Sequence, residues 1–107
     1  MINIEYIVPN TDDDIASLEM LGNYPNPFNP TTTIYFSLEE DEYIELSVYN
    51  LKGQLVNNLV SGDFAQGRHD IIWNGEDEHG NMLSSGIYLY KLQTDNNIFT
   101  RRMLLLK

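Results

Sequence analysis

Short runs in which apolar and polar residues alternate, with turn residues between them, are the strongest constraint on the fold of this chain. Ile34, Phe36 and Leu38 share one parity, and residues 44–49 and 69–73 repeat the pattern. A period of two places alternate side chains on opposite faces of a β-strand. Turn residues recur at intervals of about eight to twelve residues, as in antiparallel sandwiches. The sequence therefore predicts an all-β fold, an antiparallel immunoglobulin-like β-sandwich of about seven strands.

The residues between these runs indicate where the chain reverses. Residues 39–42 are all acidic and predict a solvated turn, and residues 50–53 place Asn first and Gly last, as in a type I turn. Residues 86–94 are apolar on both parities, which is typical of a central strand. Further strands are expected at residues 54–60 and 98–106, and a loop at residues 61–67.

The first twenty residues differ in character from the rest of the chain. The acidic run at residues 12–14 repels itself, so we interpret residues 1–20 as a linker or partly ordered segment and residues 21–107 as the sandwich domain. Residues 15–21 are compatible with one or two helical turns. Residues 1–6 lack the basic start and apolar stretch of a signal peptide, so we expect any export signal upstream or at the other end.

Composition excludes several classes of function. The 107 residues contain no cysteine, which excludes a disulfide framework, a thiol nucleophile and a thiolate metal site. Sixteen acidic residues against six basic ones give a net charge of −10, which argues against nucleic acid and anionic lipid as partners. Hydrophobic residues make up 42%, which is too rich for a disordered acidic tail. We expect a small acidic domain, monomeric in solution.

The residue types of a hydrolase triad are present but not in a catalytic pattern. His79 and Asp77 lie near Ser84 and Ser85 in the sequence. The strand–turn–helix elbow that exposes a serine nucleophile frames neither serine. We therefore predict no catalytic residue and expect that the protein is not an enzyme.

Residues 76–81 concentrate oxygen-bearing side chains around a glycine turn. Such a cluster could suit calcium, which prefers six to eight oxygen ligands, but the spacing differs from the known calcium-loop pattern. The alternative is a solvated turn in which Asp and Asn side chains bond the nearby backbone. We favour the turn, and predict no metal ligand and no cofactor.

Aromatic residues divide by parity into core and surface candidates. Trp73 is in phase with its strand's apolar set, and Tyr88 is expected to face inward with its hydroxyl bonded to the backbone, as in a tyrosine corner. Tyr35, Tyr43 and Tyr49 have the opposite parity. If they are exposed, an accessory surface module that binds carbohydrate or protein is the alternative function.

Two segments stand out by composition. Three prolines within residues 24–32 predict a stiff, non-helical lead-in whose Phe28 plugs one end of the sandwich; a proline-rich peptide ligand is the alternative. Residues 101–107 combine half of the basic residues with an apolar run. They predict a closing edge strand protected by cations, or alternatively a C-terminal address read by a receptor.

Together these segments carry a resemblance to a known family. Its motifs follow one another in a fixed order: residues 24–32 (YPNPFNPTT), 48–56 (VYNLKGQLV), 67–69 (GRH), 73–75 (WNG) with Asp77 and Gly80, 85–92 (SGIYLYKL) and 103–107 (MLLLK). Over residues 21–107 the chain resembles the C-terminal sorting domain, type A, of the type IX secretion system. It is also similar to the immunoglobulin-like domain of flagellar hook-capping proteins.

The resemblance implies an address rather than an activity. Such domains follow a large cargo domain in exported proteins of Bacteroidetes-like bacteria, and the outer-membrane secretion and sorting machinery reads them. It therefore implies export through the periplasm to the cell surface or medium, with an upstream cargo domain as a partner. The sorting-motif residues that it implies are Asn26, Pro27, Phe28, Asn29, Pro30, Gly53, Gly86, Tyr88, Leu104, Leu105, Leu106 and Lys107.

Overall fold

The computed structural model describes residues 21–107, which form a sandwich of two antiparallel sheets. One sheet has three strands in the order β1-β2-β5, and the other has four in the order β4-β3-β6-β7. The strands are β1 (Leu21–Tyr24), β2 (Thr32–Leu38), β3 (Glu42–Tyr49), β4 (Leu55–Phe64), β5 (Gly67–Trp73), β6 (Gly86–Gln93) and β7 (Ile98–Leu105). The predicted all-β immunoglobulin-like sandwich is confirmed. The proposed linker at residues 1–20 lies outside the described residues.

The core follows the period-two pattern of the sequence. Along β2 every second side chain is buried. In β3 the alternate residues Ile44, Leu46 and Val48 are buried from the other sheet, and Ser47 between them is buried as well. Removal of these apolar surfaces from water is the main stabilising term of such a fold. The buried hydrophobic side chains are Leu21, Phe28, Ile34, Phe36, Leu38, Ile44, Leu46, Val48, Trp73, Tyr88, Tyr90, Leu92, Met103 and Leu105.

Strand order explains the composition of the last two strands. β6 lies between β3 and β7, so its apolar side chains on both parities belong to a central strand, as predicted. β7 is hydrogen-bonded only to β6 along residues 98–103 within the described part of the chain, and is therefore an edge strand. No helix in residues 21–107 is long and apolar enough to cross a membrane.

The predicted loop at residues 61–67 is wrong over its first four residues and at its last, Gly67, which begins β5. β4 continues to Phe64, and the register with β3 pairs Glu45 with Ser61 and Glu42 with Phe64. The Phe64 ring packs edge-on against Phe36, with ring centroids 5.9 Å apart. Burial of this ring and pairing with β3 override the turn preference of Ser61 and Gly62.

Two smaller boundaries also differ from the sequence predictions. Leu21 begins β1 and pairs with Phe36 of β2, so it does not end a helical turn; the rest of that predicted helix lies outside the described residues. Glu42 begins β3 rather than ending the acidic turn. In both cases pairing with a neighbouring strand decides the conformation.

The predicted turn at residues 50–53 is confirmed. The Gly53 N–H donates to the Asn50 carbonyl at 3.0 Å, and the Asn50 side-chain oxygen accepts the N–H groups of Lys52 and Gln54. Gly53 has a φ of +84°, a conformation that side chains with a Cβ rarely adopt. Glycine at this position therefore serves the turn itself.

Candidate functional site

The proline-rich segment lies against the end of β7. The Phe28 N–H donates to the Leu104 carbonyl at 2.9 Å, and the Leu106 N–H donates to the Phe28 carbonyl at 2.8 Å. The Leu104 N–H donates to the Asn26 side-chain oxygen at 3.0 Å. Phe28 and Leu105 form a parallel bridge. Residues 26–28 together with residues 104–106 are called the terminal bridge below.

Three aromatic rings close the sandwich beneath the terminal bridge. Phe28 is 1% exposed, and its ring centroid lies 5.6 Å from that of Trp73, which in turn lies 6.1 Å from that of Tyr88. The polar atoms are satisfied: Trp73 Nε1–H donates to the Glu76 carbonyl at 3.0 Å, and the Tyr88 hydroxyl donates to the Ser84 carbonyl at 2.8 Å. The predicted plug at Phe28 and the inward Tyr88 with a backbone partner are thus both present.

The burial of Phe28 bears on the alternative of a proline-rich peptide ligand. A recognition peptide must present its anchor side chain to a partner. Phe28, in the middle of this segment, is inside its own domain, whereas Tyr24 at its start is 77% exposed. The structural interpretation therefore accounts for the segment better.

Most of the sorting-motif residues lie at this one end of the sandwich. Gly86 pairs with Leu105 across β6 and β7, and the Lys107 N–H donates to the Ser85 hydroxyl oxygen at 2.9 Å. Pro27, Asn29 and Pro30 are exposed beside Phe28. Gly53 lies at the same end of the strands but across the sheet, because its hairpin turn connects β3 to β4 and the strands β3 and β6 stand between β4 and β7.

Sequence reasoning assigned no structural role to two residues that hold this end together. The Ser85 hydroxyl oxygen accepts the Lys107 N–H. Gly75 (φ +74°) passes so close to the neighbouring segment that a Cβ would come within 2.9 Å of the Pro30 carbonyl oxygen. Both residues belong to motifs that carry the resemblance, at residues 73–75 and 85–92, but these motifs do not indicate the contacts.

The turn at residues 76–81 uses its carboxylate internally. Asp77 Oδ1 accepts the backbone N–H groups of His79 and Asn81, both at 2.9 Å. These hydrogen bonds, above all that from Asn81, hold the pKa of Asp77 below its ordinary value of 3.8. No group of three or more His, Asp or Glu side chains in residues 21–107 is arranged to hold a metal ion. The side chain of Asp77 is therefore committed to shaping the turn, as the favoured interpretation predicts.

Two of the three tyrosines considered as surface candidates, Tyr35 and Tyr49, are half-buried and are also covered by cations. The Arg68 guanidinium lies over the Tyr35 ring at 4.6 Å from its centroid, and Lys91 Nζ lies over the Tyr49 ring at 4.9 Å. A sugar that stacks on either ring face would have to displace the cation from it. Tyr43 is exposed, but a single ring offers a small platform. The carbohydrate alternative is weakened accordingly.

Comparison with known proteins gives the family. The model of the FlgD Ig-like domain matches residues 28–97, which is most of the described sandwich, from Phe28 of the terminal bridge to the turn before β7. The chain belongs to the FlgD Ig-like domain family. No curated protein sequence matches it.

Solved structures share the fold of this FlgD Ig-like domain. FlgD from Pseudomonas aeruginosa superposes with a TM-score of 0.55 at 28% identity, over 70% of this chain and 59% of that one. Dimeric latent PorU from Porphyromonas gingivalis has a TM-score of 0.67 at 18% identity, over 80% of this chain and 9% of PorU. PorZ of the same bacterium, an essential surface component of its type-IX secretion system, has a TM-score of 0.60 at 18% identity, over 90% of this chain and 13% of PorZ. The chain thus corresponds to a small part of PorU and PorZ.

Proposed function

We propose that this FlgD Ig-like domain is a non-catalytic C-terminal sorting signal of the type IX secretion system. The outer-membrane secretion and sorting machinery recognises this domain. The upstream cargo domain is thereby directed through the periplasm to the cell surface or medium. The observation that carries the proposal is the terminal bridge. It joins the proline-rich and C-terminal motifs, which are far apart in sequence, into one surface.

The chemistry of this surface supports recognition rather than catalysis. Leu106 is 46% exposed although it follows directly on the core residue Leu105. Lys107 is exposed beside it, and both lie beyond the end of β7. An apolar side chain next to a cation, on a backbone fixed by three hydrogen bonds, is a preorganised feature for a protein receptor.

The likeness to PorZ in fold is compatible with the proposal. PorZ is a surface component of a type-IX secretion system, and a domain of this fold therefore occurs in the setting to which the resemblance points. Export and a surface or extracellular location are part of the same proposal.

The test is export of a fluorescent reporter fused upstream of the domain, in a bacterium with this secretion system. Deletion of residues 103–107 would remove Met103 and Leu105 from the core and would confound recognition with folding. The sharper variant is Leu106→Glu with Lys107→Glu, which changes two exposed side chains. We expect at least a tenfold loss of exported reporter.

The matched control is Leu51→Glu with Lys52→Glu. This Leu–Lys pair is also exposed and lies in the hairpin turn beside Gly53, so composition and net charge change identically. Both variants should keep the melting temperature of the parent domain. Equal export by the two variants would contradict the role assigned to the C-terminal end.

A further inference from the structure

An open groove runs between the edge strands of the two sheets. It has a volume of about 960 Å³. β1 forms one wall and residues 98–102 of β7 form the other. At its base the Tyr90 hydroxyl donates to the Asn23 side-chain oxygen at 3.0 Å. We call this the β1–β7 groove.

Along the β7 wall, a row of backbone N–H and C=O groups has no hydrogen-bonding partner within residues 21–107. Along an antiparallel strand the N–H and C=O groups point alternately to either side. Leu104 directs its N–H and C=O outward to the terminal bridge, so Ile98, Thr100 and Arg102 direct theirs to the same outer side. Among residues 21–107 these three have no backbone partner on that side. Such a row is a template for a further strand.

The terminal bridge shows that this edge accepts backbone pairing. Phe28 forms an isolated bridge with it, hydrogen-bonded at Leu104 and Leu106. Beyond Asn26, no strand of residues 21–107 pairs with the outer edge of residues 98–102. These residues span roughly 16 Å of extended chain, so a segment of five to eight residues would continue the row.

The charge of the groove indicates the charge of the partner that would bind there. None of the side chains that line the groove in the described part of the chain is acidic, and the exposed Arg102 is among them. Residues 98–107 hold three of the six basic residues and none of the sixteen acidic ones. Two copies meeting edge to edge would bring Arg102 toward its own copy, which like-charge repulsion disfavours. An acidic strand is the complementary partner.

Ile98 adds an apolar contact at the far end of the groove. Its side chain is 61% exposed, and it lies next to Phe99 in the β7 wall. Phe99 has the opposite parity to Arg102, so the two side chains lie on opposite faces of β7. A strand that alternates acidic with apolar side chains would place its acidic side chains on the face of Arg102 and its apolar side chains on the face of Phe99.

We propose that the β1–β7 groove binds an extended, acidic segment of a partner protein, which adds to β7 as a further strand. This surface is distinct from the exposed pair Leu106 and Lys107, and its test uses purified protein. Failure here and failure of the secretion proposal are therefore separate results.

The first test titrates the full chain into four fluorescein-labelled octapeptides and follows fluorescence anisotropy. One peptide alternates Val with Glu, and the second alternates Val with Lys. The third and fourth are the Glu peptide N-methylated at every Val or at every Glu, so that each lacks the donors on one of its two edges. We expect saturable binding of the Glu peptide, and at least tenfold weaker binding of the Lys peptide and of one N-methylated peptide. Equal binding of the Lys peptide, or of both N-methylated peptides, would overturn the proposal.

The second test changes the protein. Arg102→Glu should weaken binding of the Glu peptide at least tenfold, whereas Lys52→Glu, the same charge reversal in the distant hairpin turn, should not. Thr100→Pro removes one outward N–H, a change that edge strands tolerate because that donor faces away from the sheet. It should abolish binding while the melting temperature stays within a few degrees. Unchanged binding by Arg102→Glu, or by a folded Thr100→Pro protein, would overturn the proposal.

The third test asks what occupies the groove without peptide. The amides of Ile98, Thr100 and Arg102 should exchange rapidly with solvent in the full chain and slow on addition of the Glu peptide. Slow exchange at every protein concentration would assign the groove to residues 1–20 of the same chain. Slow exchange only at high concentration would assign it to a second copy. Either result would overturn the proposal.

Discussion

The outer edge of β7 differs between its two ends. At residues 104–106 a segment from the other end of the domain covers it, with three hydrogen bonds and the buried ring of Phe28. Along residues 98–102 no strand of residues 21–107 pairs with the same edge, which carries Arg102 and is called the open end below. Proteins protect sheet edges either by covering them or by placing charge on them. This strand uses both methods, which separates an end fixed by packing from an end able to receive another strand.

Among the variants that test the difference between the two ends of β7, Phe28→Ala should lower the free energy of unfolding most. It empties a buried site between Trp73 and the end of β7, and the loss of apolar burial together with the cavity costs about 3–5 kcal/mol. Urea unfolding followed by Trp73 fluorescence measures it. Ile98→Ala, at the open end, should change the free energy of unfolding by no more than about 0.5 kcal/mol. Similar losses for the two variants would mean that the covered end is no more fixed than the open one.

Asn26→Ala should have an intermediate effect. It removes the side-chain acceptor for the Leu104 N–H but no core contact, and the net loss for such a hydrogen bond is about 0.5–1.5 kcal/mol. In this variant the Leu104 amide should exchange with solvent as fast as the amide of Thr100, which also points to the outer side of β7. If the Leu104 amide stays protected, the backbone bonds to Phe28 hold this end alone.

Acidification should produce a smaller change, confined to the covered end. The folded-state pKa of Asp77 lies below the ordinary 3.8, so its contribution to stability is complete above that value. It is lost as the pH falls through the folded pKa. The turn that Asp77 shapes adjoins Glu76, whose carbonyl accepts the Trp73 indole N–H.

Asp77→Asn isolates this contribution. At pH 7 it should lower the melting temperature, and the difference from the parent should shrink as the pH falls below 3.8 and through the lowered folded-state pKa, because Asp77 then loses its charge. Thermal unfolding at several pH values measures it. A constant difference across the pH range would contradict the linkage.

Arg102→Val should have the smallest effect on stability, within about 0.5 kcal/mol, because the side chain is exposed. Its consequence should instead be self-association, since it removes the charge that keeps two open edges apart. Sedimentation velocity should show dimers that grow with concentration, and Lys52→Val in the hairpin turn should remain monomeric. A monomeric Arg102→Val protein would show that charge does not protect this edge.

The sequence predicted features that depend on local pattern. Strand parity placed Ile34, Phe36 and Leu38 in the core, and the apolar parities of residues 86–94 indicated a central strand, because side-chain direction alternates whatever the partner is. The inward Tyr88 followed from the same parity.

The errors and omissions concern pairing between distant segments. Residues 61–64 contain turn-forming types, but their neighbours on β3 hold them extended. The terminal bridge was not predicted as a set of contacts, because Asn26 and Leu104 are 78 positions apart and only the sandwich brings them together. The motifs behind the resemblance include both segments, residues 24–32 and 103–107, but they do not indicate that the two are in contact. Of the candidate site, the residues were therefore predictable and their arrangement was not.

The 78-residue separation closed by the terminal bridge has a consequence for synthesis. A ribosome delivers the chain from its N-terminus, and long-range pairs form only after the intervening chain has been made. Phe28 leaves the ribosome well before its hydrogen-bonding partners, which emerge only with residues 104–106. Until then the ring of Phe28 has no β7 against which to pack. A nascent or prematurely ended chain therefore cannot complete this domain. The complete fold forms only after translation has passed residue 106.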